Sequence, residues 1–196
     1  MNDSRSFRSK IERLLVRYRI PCSILIFGAL IFENISEDVV PRDIFSLEDP
    51  LGTAALLLIV AGMFVRSWAA GTIHKTKQLA SAGAYALMRH PLYFGSLLIG
   101  IGFSLIFWNN INLWVLLAVA VVFYLPKIRQ EEAHLGREFG NDWQAYTKRT
   151  GMFFPRIKPG LKSQWSFSQW MYNHEYNALV GALAGLLALP LINLLK

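Results

Sequence analysis

Five apolar segments separated by polar connections constrain this chain more than any other feature of its sequence. They cover residues 20–35, 51–70, 92–108, 111–126 and 176–195. Several are shorter than the ~20 apolar residues that a spanning helix needs, although snorkelling Arg or Lys and interfacial Trp can extend them. The composition agrees, since 54% of the 196 residues are hydrophobic and only 17% are charged. We therefore predict an all-α polytopic membrane protein with about five transmembrane helices.

Basic residues alternate with these segments and predict an orientation. Residues 1–19 hold six basic and two acidic residues, whereas residues 33–49 hold six acidic residues against Arg42 alone. The connection after the second segment and the tract after the fourth segment are basic again. By the positive-inside rule, we expect the N-terminus and both long polar connections to be cytoplasmic and the C-terminus to lie on the opposite side.

Net charge and cysteine content restrict the partners. The charge of +7 is compatible with nucleic acid, but the basic residues flank apolar segments and form no separate basic face. Anionic membrane lipids are the expected counterions, and no nucleic acid is expected. The single cysteine, Cys22, excludes an internal disulfide and any Cys/His metal cluster, so we predict no metal site.

Spacing predicts how the apolar segments are connected and packed. Only three or four residues join the third and fourth segments, which predicts a tight antiparallel helical hairpin. The tract 129–149 is predicted to be an amphipathic cytoplasmic helix with a break near Gly140. Its apolar stripe consists of Leu135, Phe139, Trp143 and Tyr146. Gly181 and Gly185 form a GxxxG pair, which predicts close helix packing and a homo-oligomer through the last segment.

Polar residues cluster at the two ends of the predicted hairpin. Arg89 and His90 begin the third segment, and Glu131 and Glu132 follow the end of the fourth. Because the two arms are antiparallel and similar in length, both clusters should lie at one membrane level on helices roughly 10 Å apart. From residue chemistry alone, the clusters could form either a binding pocket or an interfacial salt-bridge cluster.

Five ordered motifs connect residues 71–157 to a known family. They are Gly-x-Tyr, Arg-His-Pro-x-Tyr-x-Gly, Glu-Glu-x-x-Leu, Phe-Gly-x-x-Trp-x-x-Tyr and a closing Phe-Pro. In this order they resemble the membrane-integral isoprenylcysteine carboxyl methyltransferase family and its phospholipid methyltransferase relatives. The resemblance implies cytosolic S-adenosyl-L-methionine as methyl donor and a lipid-like substrate from the bilayer. Together with the apolar segments, the matched region predicts three parts: anchor helices in 1–70, a methyltransferase core in 71–159, and, beyond the match, an interfacial segment with the last transmembrane helix in 160–196.

The resemblance also implies site residues. The cofactor-binding positions are Lys77, Gln78, Leu79, Ala80, Tyr85, Arg89, His90, Pro91, Leu92, Tyr93 and Glu131. The positions assigned to catalysis are Lys127, Arg129, Glu131 and Glu132. Glu131 is the candidate partner of the methionine ammonium group. Lys127 stands where the eukaryotic prenylcysteine enzymes carry Arg, and Lys lacks the bidentate fork that matches a carboxylate; Arg129 is either its replacement or a surface cation.

Three functions are compatible with these residues. The preferred one is carboxyl O-methylation of an isoprenylcysteine-like substrate. The second is N-methylation of a phosphatidylethanolamine-type lipid, in which Glu132 could take the amine proton. The third is a noncatalytic membrane protein whose polar clusters fix helix registry. His174 and Glu175, which precede the last segment, could either line a substrate opening or lie solvated at the interface.

Overall fold

Helices joined by short irregular connections make up the part of the chain that its computed structural model describes, which comprises residues 3–73, 78–154 and 165–194. The helices are α1 (Asp3–Ser36), α2 (Pro50–Thr72), α3 (Ala84–Leu87), α4 (Pro91–Ile106), α5 (Asn110–Val119), α6 (Leu125–Arg149), α7 (Phe167–Tyr172) and α8 (Tyr176–Leu194). A π-helical turn, Ala120–Tyr124, joins α5 to α6. Among the described residues, the one β-type contact is an isolated bridge between Met88 and Gly151.

The apolar helices confirm the predicted polytopic membrane protein. Three stretches are long and apolar enough to cross a bilayer, namely Glu12–Ser36, Pro50–Thr72 and Ile111–Arg149. Two shorter apolar helices, Pro91–Ile106 and Tyr176–Leu191, complete the predicted set of five. The orientation of the chain across the membrane stays a prediction.

Helix α2 begins at a well-formed cap. The Asp49 carboxylate accepts hydrogen bonds from the backbone N–H groups of Leu51 and Gly52, and Pro50 occupies the first turn, where no N–H is needed. Arg42 pairs with the same carboxylate at 3.0 Å, and the Arg42 backbone N–H donates to the carbonyl of Ile106. The connection after α1 is thereby fixed to the far end of the hairpin.

Glycine allows α2 and α4 to pack backbone against backbone. A Cβ atom at Gly62 would lie 2.6 Å from the carbonyl oxygen of Gly95, and one at Gly102 would lie 2.7 Å from that of Ala55. In a bilayer, where apolar side chains gain little by leaving lipid, such close approach is a main source of helix association. The buried residues Ile59 and Ile106 fill the space beside this contact.

The predicted hairpin is present, but its second arm is longer than expected. Helix α4 ends at Ile106, and the Asn109 side chain caps α5 by accepting from the Ile111 N–H. The arm then continues without a break into α6 instead of ending at Pro126. In the π turn, the Leu125 N–H donates to the carbonyl of Ala120, five residues earlier. Pro126 follows this wider turn, so its missing N–H and its ring are accommodated where the regular hydrogen-bond pattern is already interrupted.

Helix α6 confirms the amphipathic pattern of its sequence. Trp143 and Tyr146 are buried and the other two stripe residues are half-buried. Gly140 breaks the helix with φ 47°, close to the predicted position. The predicted break and stripe are therefore both confirmed, whereas the position of α6 relative to the bilayer stays a prediction.

The segment around α7 covers the C-terminal end of α2. Trp165 Nε1 donates to the carbonyl of Ser67 at 3.0 Å, and its indole ring lies where a side chain at Gly71 would be. The Asn173 amide donates to the carbonyls of Ala70 and Ile73. The bonds from Asn173 satisfy carbonyl groups at the helix end that have no intrahelical donors.

Helix α8 runs parallel to α4. At the start of α8, Glu175 pairs with Arg66 of α2, and Arg66 also donates to the Leu92 carbonyl at the start of α4. Further along, a Cβ atom at Gly185 would lie 2.9 Å from the Phe103 ring of α4. Leu189 packs with Ile106 at the far end. The expectation that the GxxxG pair supports close helix packing is therefore met at Gly185 within one chain, and the homo-oligomer stays a prediction.

Gly62→Ala should destabilise the protein because the new methyl group meets backbone that cannot move independently. Alanine is the better helix former by up to ~1 kcal/mol, but we expect the steric cost to prevail and stability to fall by about 1–3 kcal/mol. Gly28→Ala is the matched control, because a Cβ atom there would meet nothing within 4 Å. Unfolding of both variants by SDS titration in detergent measures the difference. Equal stabilities would contradict the proposed close packing.

Candidate active site

The N-terminus of α4 is held by a short backbone contact with the segment after α6. The Arg89 N–H donates to the carbonyl of Gly151 at 2.8 Å, and the His90 N–H donates to that of Met152 at 3.2 Å. Pro91 then starts α4, where its missing N–H costs nothing. The two ends of the hairpin region thus meet through backbone as well as side chains.

Glu132 binds both polar residues that precede α4. Its Oε1 atom lies 2.9 Å from Arg89 Nε and 3.1 Å from His90 Nε2. Arg89 also donates to the carbonyl of Thr150 at 2.8 Å. The expectation that the two polar clusters lie at one level is confirmed, since their side chains are in direct contact.

Glu131 points in a different direction from its neighbour. Its Oε1 atom accepts from the Tyr93 hydroxyl at 2.9 Å and lies 3.1 Å from Lys127 Nζ. Its second carboxylate oxygen has no hydrogen-bond partner among the described residues, and the same holds for the second oxygen of Glu132. The Glu131 side chain is 35% exposed, against 24% for Glu132. Glu131 is therefore the carboxylate of the pair that a ligand reaches more easily.

An apolar cavity of about 640 Å³ begins at this cluster and extends along α4. Its walls come from α1, α4, α5, the π turn and α8. Tyr93, Ile128 and Phe153 line the end beside Glu131, whereas Asn34 and Asn112 line the other end. Tyr93 belongs to both regions, since its ring lines the cavity and its hydroxyl binds Glu131. The charged cluster is therefore adjacent to an apolar cavity that suits a lipid chain.

Burial sets the protonation of the groups around the cluster. His90 is 5% exposed, and desolvation lowers its pKa below the usual value even though Glu132 and Glu131 act to raise it and Arg89 acts to lower it. His90 is thus neutral at pH 7. Burial also raises the pKa of Tyr85, whose carbonyl accepts a hydrogen bond of 2.7 Å from the Tyr146 hydroxyl.

The remaining positions predicted to bind the cofactor are Lys77, Gln78, Leu79, Ala80, Pro91 and Leu92. Gln78 is exposed, while Leu79 and Ala80 are half-buried, and Ala80 packs beside the buried Tyr85. Leu92 is half-buried, and its carbonyl accepts from Arg66. Lys77 lies outside the described residues. The structure therefore brings together Arg89, His90, Tyr93, Lys127, Glu131 and Glu132, with Pro91 and Leu92 directly beside them.

Arg129 is not brought into this group. Its side chain is exposed and forms no hydrogen bond or ion pair within the described part of the chain. A lysine two positions earlier faces Glu131 instead, since residues four apart on a helix share one face. This arrangement agrees with the interpretation of Arg129 as a surface cation.

Arg66 is the residue that the sequence interpretation missed. It donates to both oxygens of Glu175 at 2.8 and 2.9 Å, to Ser96 Oγ at 2.6 Å and to the Leu92 carbonyl at 3.2 Å. Glu175 is 5% exposed, so it is neither solvated nor part of an opening. A lone Arg inside an apolar segment was the available signal, because such residues are costly in a bilayer unless they are paired.

No group of three or more His, Cys, Asp or Glu side chains is arranged as metal ligands within the described residues. The single Cys22 is half-buried in α1. The candidate site therefore consists of the charged cluster and the cavity beside it.

Comparison with known proteins supports the resemblance found from the motifs. Residues 51–142 match the family described as phospholipid methyltransferase. The protein-S-isoprenylcysteine O-methyltransferase of Saccharomyces cerevisiae is 31% identical over 126 residues, which cover 58% of this chain and 53% of the yeast protein. The corresponding protein of Schizosaccharomyces pombe is 28% identical over 54% of this chain and 50% of its own length.

A second group of relatives has names that refer to metal resistance. The nickel-cobalt-cadmium resistance protein NccN of Alcaligenes xylosoxydans xylosoxydans is 27% identical over 153 residues, which cover 76% of this chain and 70% of NccN. The chain thus spans about half the length of the two yeast relatives and somewhat more of NccN. No solved structure matches the chain.

The lowered pKa of His90 predicts a pH-dependent stability. The unfolded chain binds a proton at His90 more readily than the folded one, so this contribution is complete above pH ~6.5 and is lost as the pH falls through the folded pKa. His90→Gln removes this titration and keeps an N–H donor for Glu132. Thermal unfolding between pH 8 and 5 should therefore show a smaller acid-dependent loss in the variant. The other histidines and the carboxylates are common to both proteins, so identical pH profiles would contradict the assignment.

Proposed function

We propose that this chain, which belongs to the membrane-integral isoprenylcysteine O-methyltransferase and phospholipid methyltransferase family, transfers a methyl group from S-adenosyl-L-methionine to a lipophilic acceptor in the cavity. One observation carries the proposal: Tyr93 lines the apolar cavity with its ring and binds Glu131 with its hydroxyl. A polar methyl donor and an apolar acceptor chain could therefore meet at this residue.

The polar cluster suits the methyl donor. The open oxygen of Glu131 can accept from an ammonium group, and aromatic rings of Tyr93 and Phe153 stand beside it. When bound, S-adenosyl-L-methionine supplies an electrophilic methyl group on a sulfonium. Arg89 and His90 both contact Glu132, so we assign these three residues to holding the start of α4 in place. Residues 78–80 and Tyr85 are expected to complete the adenosine side of the site.

Lys127 is assigned to the acceptor. It lies next to Ile128, which lines the cavity, and its ammonium group is at the same level as Glu131. A carboxylate acceptor is already nucleophilic at neutral pH and needs no general base. In the transfer, a carboxylate oxygen bonds to the methyl carbon as the carbon–sulfur bond breaks, and the electron pair stays on sulfur. The task of the protein is then alignment and exclusion of water.

The length of the cavity suits the hydrocarbon part of a lipid-like acceptor. Its lining on α4 runs from Tyr93 to Phe107, which is about 21 Å at 1.5 Å per residue. An isoprenylcysteine-like acceptor could therefore place its hydrophobic chain along α4.

N-methylation of a phospholipid amine is the second candidate, and the description of the matching family favours it. That reaction requires a proton acceptor for the amine. Glu132 is the carboxylate that the sequence suggested for this role, and its Oε1 atom accepts from Arg89 and lies against His90. O-methylation of a carboxylate needs no proton acceptor, and we prefer it for that reason.

We also assign the polar cluster to the cytosolic side, where S-adenosyl-L-methionine is available. The alternation of basic and acidic connections supports this orientation. The donor would then approach from water and the acceptor chain from the bilayer.

Glu131→Gln should weaken binding of S-adenosyl-L-methionine, because the amide presents no negative charge to the ammonium group. Hydrogen bonds to charged groups contribute about 1.5–3 kcal/mol, which corresponds to roughly a ten- to hundredfold rise in Kd. Arg129→Gln is the control, since that residue is outside the cluster. Isothermal titration calorimetry of the purified proteins measures both. Absence of binding to the wild type, or an equal loss in both variants, would contradict the proposal.

The acceptor class can be decided with methyl-labelled donor. Purified protein in nanodiscs should transfer label to a single-chain thioether carboxylate and give a base-labile methyl ester. Base-stable label on phosphatidylethanolamine would instead establish N-methylation and overturn the preferred acceptor. If a protein that binds the donor transfers label to neither acceptor, both acceptor classes are excluded.

A further inference from the structure

We infer that Gly181 and the Asn34–Asn112 pair set the longest hydrophobic chain that the cavity accepts. The inference rests on the proposed function, since it treats the cavity as the acceptor site. It identifies specificity-determining residues on α1, α5 and α8, away from the charged cluster.

Gly181 lies about midway along the cavity. Helix α8 runs parallel to α4, and Gly185 is level with Phe103. Phe103 is ten residues beyond Tyr93, or about 15 Å, and Gly181 is four residues before Gly185, or about 6 Å. Gly181 is therefore at a level about 9 Å from the Tyr93 end.

The missing side chain at Gly181 keeps the second half of the cavity open. Gly181 lines the cavity, and a Cβ atom built there would meet nothing within 4 Å. Gly181 is itself exposed, so a larger side chain at this position would fill open space at the cavity wall without displacing protein atoms. Gly185, by contrast, already packs on Phe103, so its lack of a side chain is explained by helix contact.

Asn34 and Asn112 close the far end. Both side chains are buried, at 1% and 5% exposure, and they exchange hydrogen bonds of 3.2 and 3.4 Å between α1 and α5. Both line the cavity where α4 ends. The two amides bind each other, and their separation would leave buried polar groups unpaired. A hydrocarbon chain offers them no hydrogen bonds in exchange, so the pair forms a stable end wall.

These two features predict a definite chain length. An extended chain advances ~1.3 Å per carbon, given a carbon–carbon bond of about 1.5 Å. The cavity length of about 21 Å then admits roughly 16 carbons. With the path blocked at the level of Gly181, about 9 Å would remain, which admits roughly seven carbons.

The experiment uses alkylthio carboxylates of 6 to 22 carbons that carry a diazirine at the chain end, with the full chain in nanodiscs. For the wild type, we expect constant photolabelling up to about 16 carbons, labelling near Asn34 and Asn112 by the longest accepted probes, and at least a tenfold fall beyond. Gly181→Leu should move this limit to about 8 carbons or fewer. Gly28→Leu, a change of the same size on the exposed surface of α1, should leave it unchanged.

Three results would overturn the inference: no length limit in the wild type, an unchanged limit in Gly181→Leu, or the same shift in Gly28→Leu. Thermal unfolding verifies that each variant is folded, and Gly181→Ser supplies a smaller step if the Leu variant is not. Photolabelling needs no methyl donor. A length limit without methyl transfer would therefore refute the proposed function alone, whereas transfer without a length limit would refute this inference alone.

Discussion

The ion pair between Arg66 and Glu175 holds the elements that the candidate site needs. The guanidinium of Arg66 on α2 binds both oxygens of Glu175 before α8 and also Ser96 and the Leu92 carbonyl on α4. A buried charge without a partner is very costly in a low-dielectric environment, so loss of either member would leave the other uncompensated. This pair fixes the start of α8 beside the start of α4, which brings Tyr93 and Gly181 to the walls of one cavity.

Helix geometry explains why two adjacent carboxylates have different partners. Consecutive residues of an α-helix are about 100° apart around the axis. Glu132 therefore points to Arg89 and His90, while Glu131 points to Tyr93 at the mouth of the cavity. One residue stabilises the junction between the hairpin and the segment after α6, and its neighbour is left to bind the methyl donor in the proposed reaction.

Sequence patterns predicted the parts of this structure that depend on local spacing. The short connection between α4 and α5 required a hairpin, and the hairpin required Arg89 and Glu132 to meet. The pairing of Arg66 with Glu175 could not be predicted, because the two residues are 109 positions apart and no periodicity connects them. The cavity could not be predicted from the sequence either, because apolar side chains that face lipid and those that line a cavity have the same composition. The continuity of the second arm was not predicted, because the apolar segment ends at Pro126 and a polar tract follows, and the π turn between them is not visible in the sequence.

That π turn connects the apolar and polar parts of the site. Each π turn contains one residue more than an α-helical turn, so it rotates everything after it by about 100° relative to an uninterrupted helix. Leu116 lines the cavity before the turn, Ala120 and Tyr124 line it at the two ends of the turn, and Ile128 lines it after the turn. Lys127 and Glu131 then follow on the face that meets Tyr93. In a regular helix this rotation would be absent, and Glu131, which accepts the hydrogen bond from the Tyr93 hydroxyl, would face in another direction. The extra residue in the turn is therefore what aligns the charged cluster with the end of the apolar cavity.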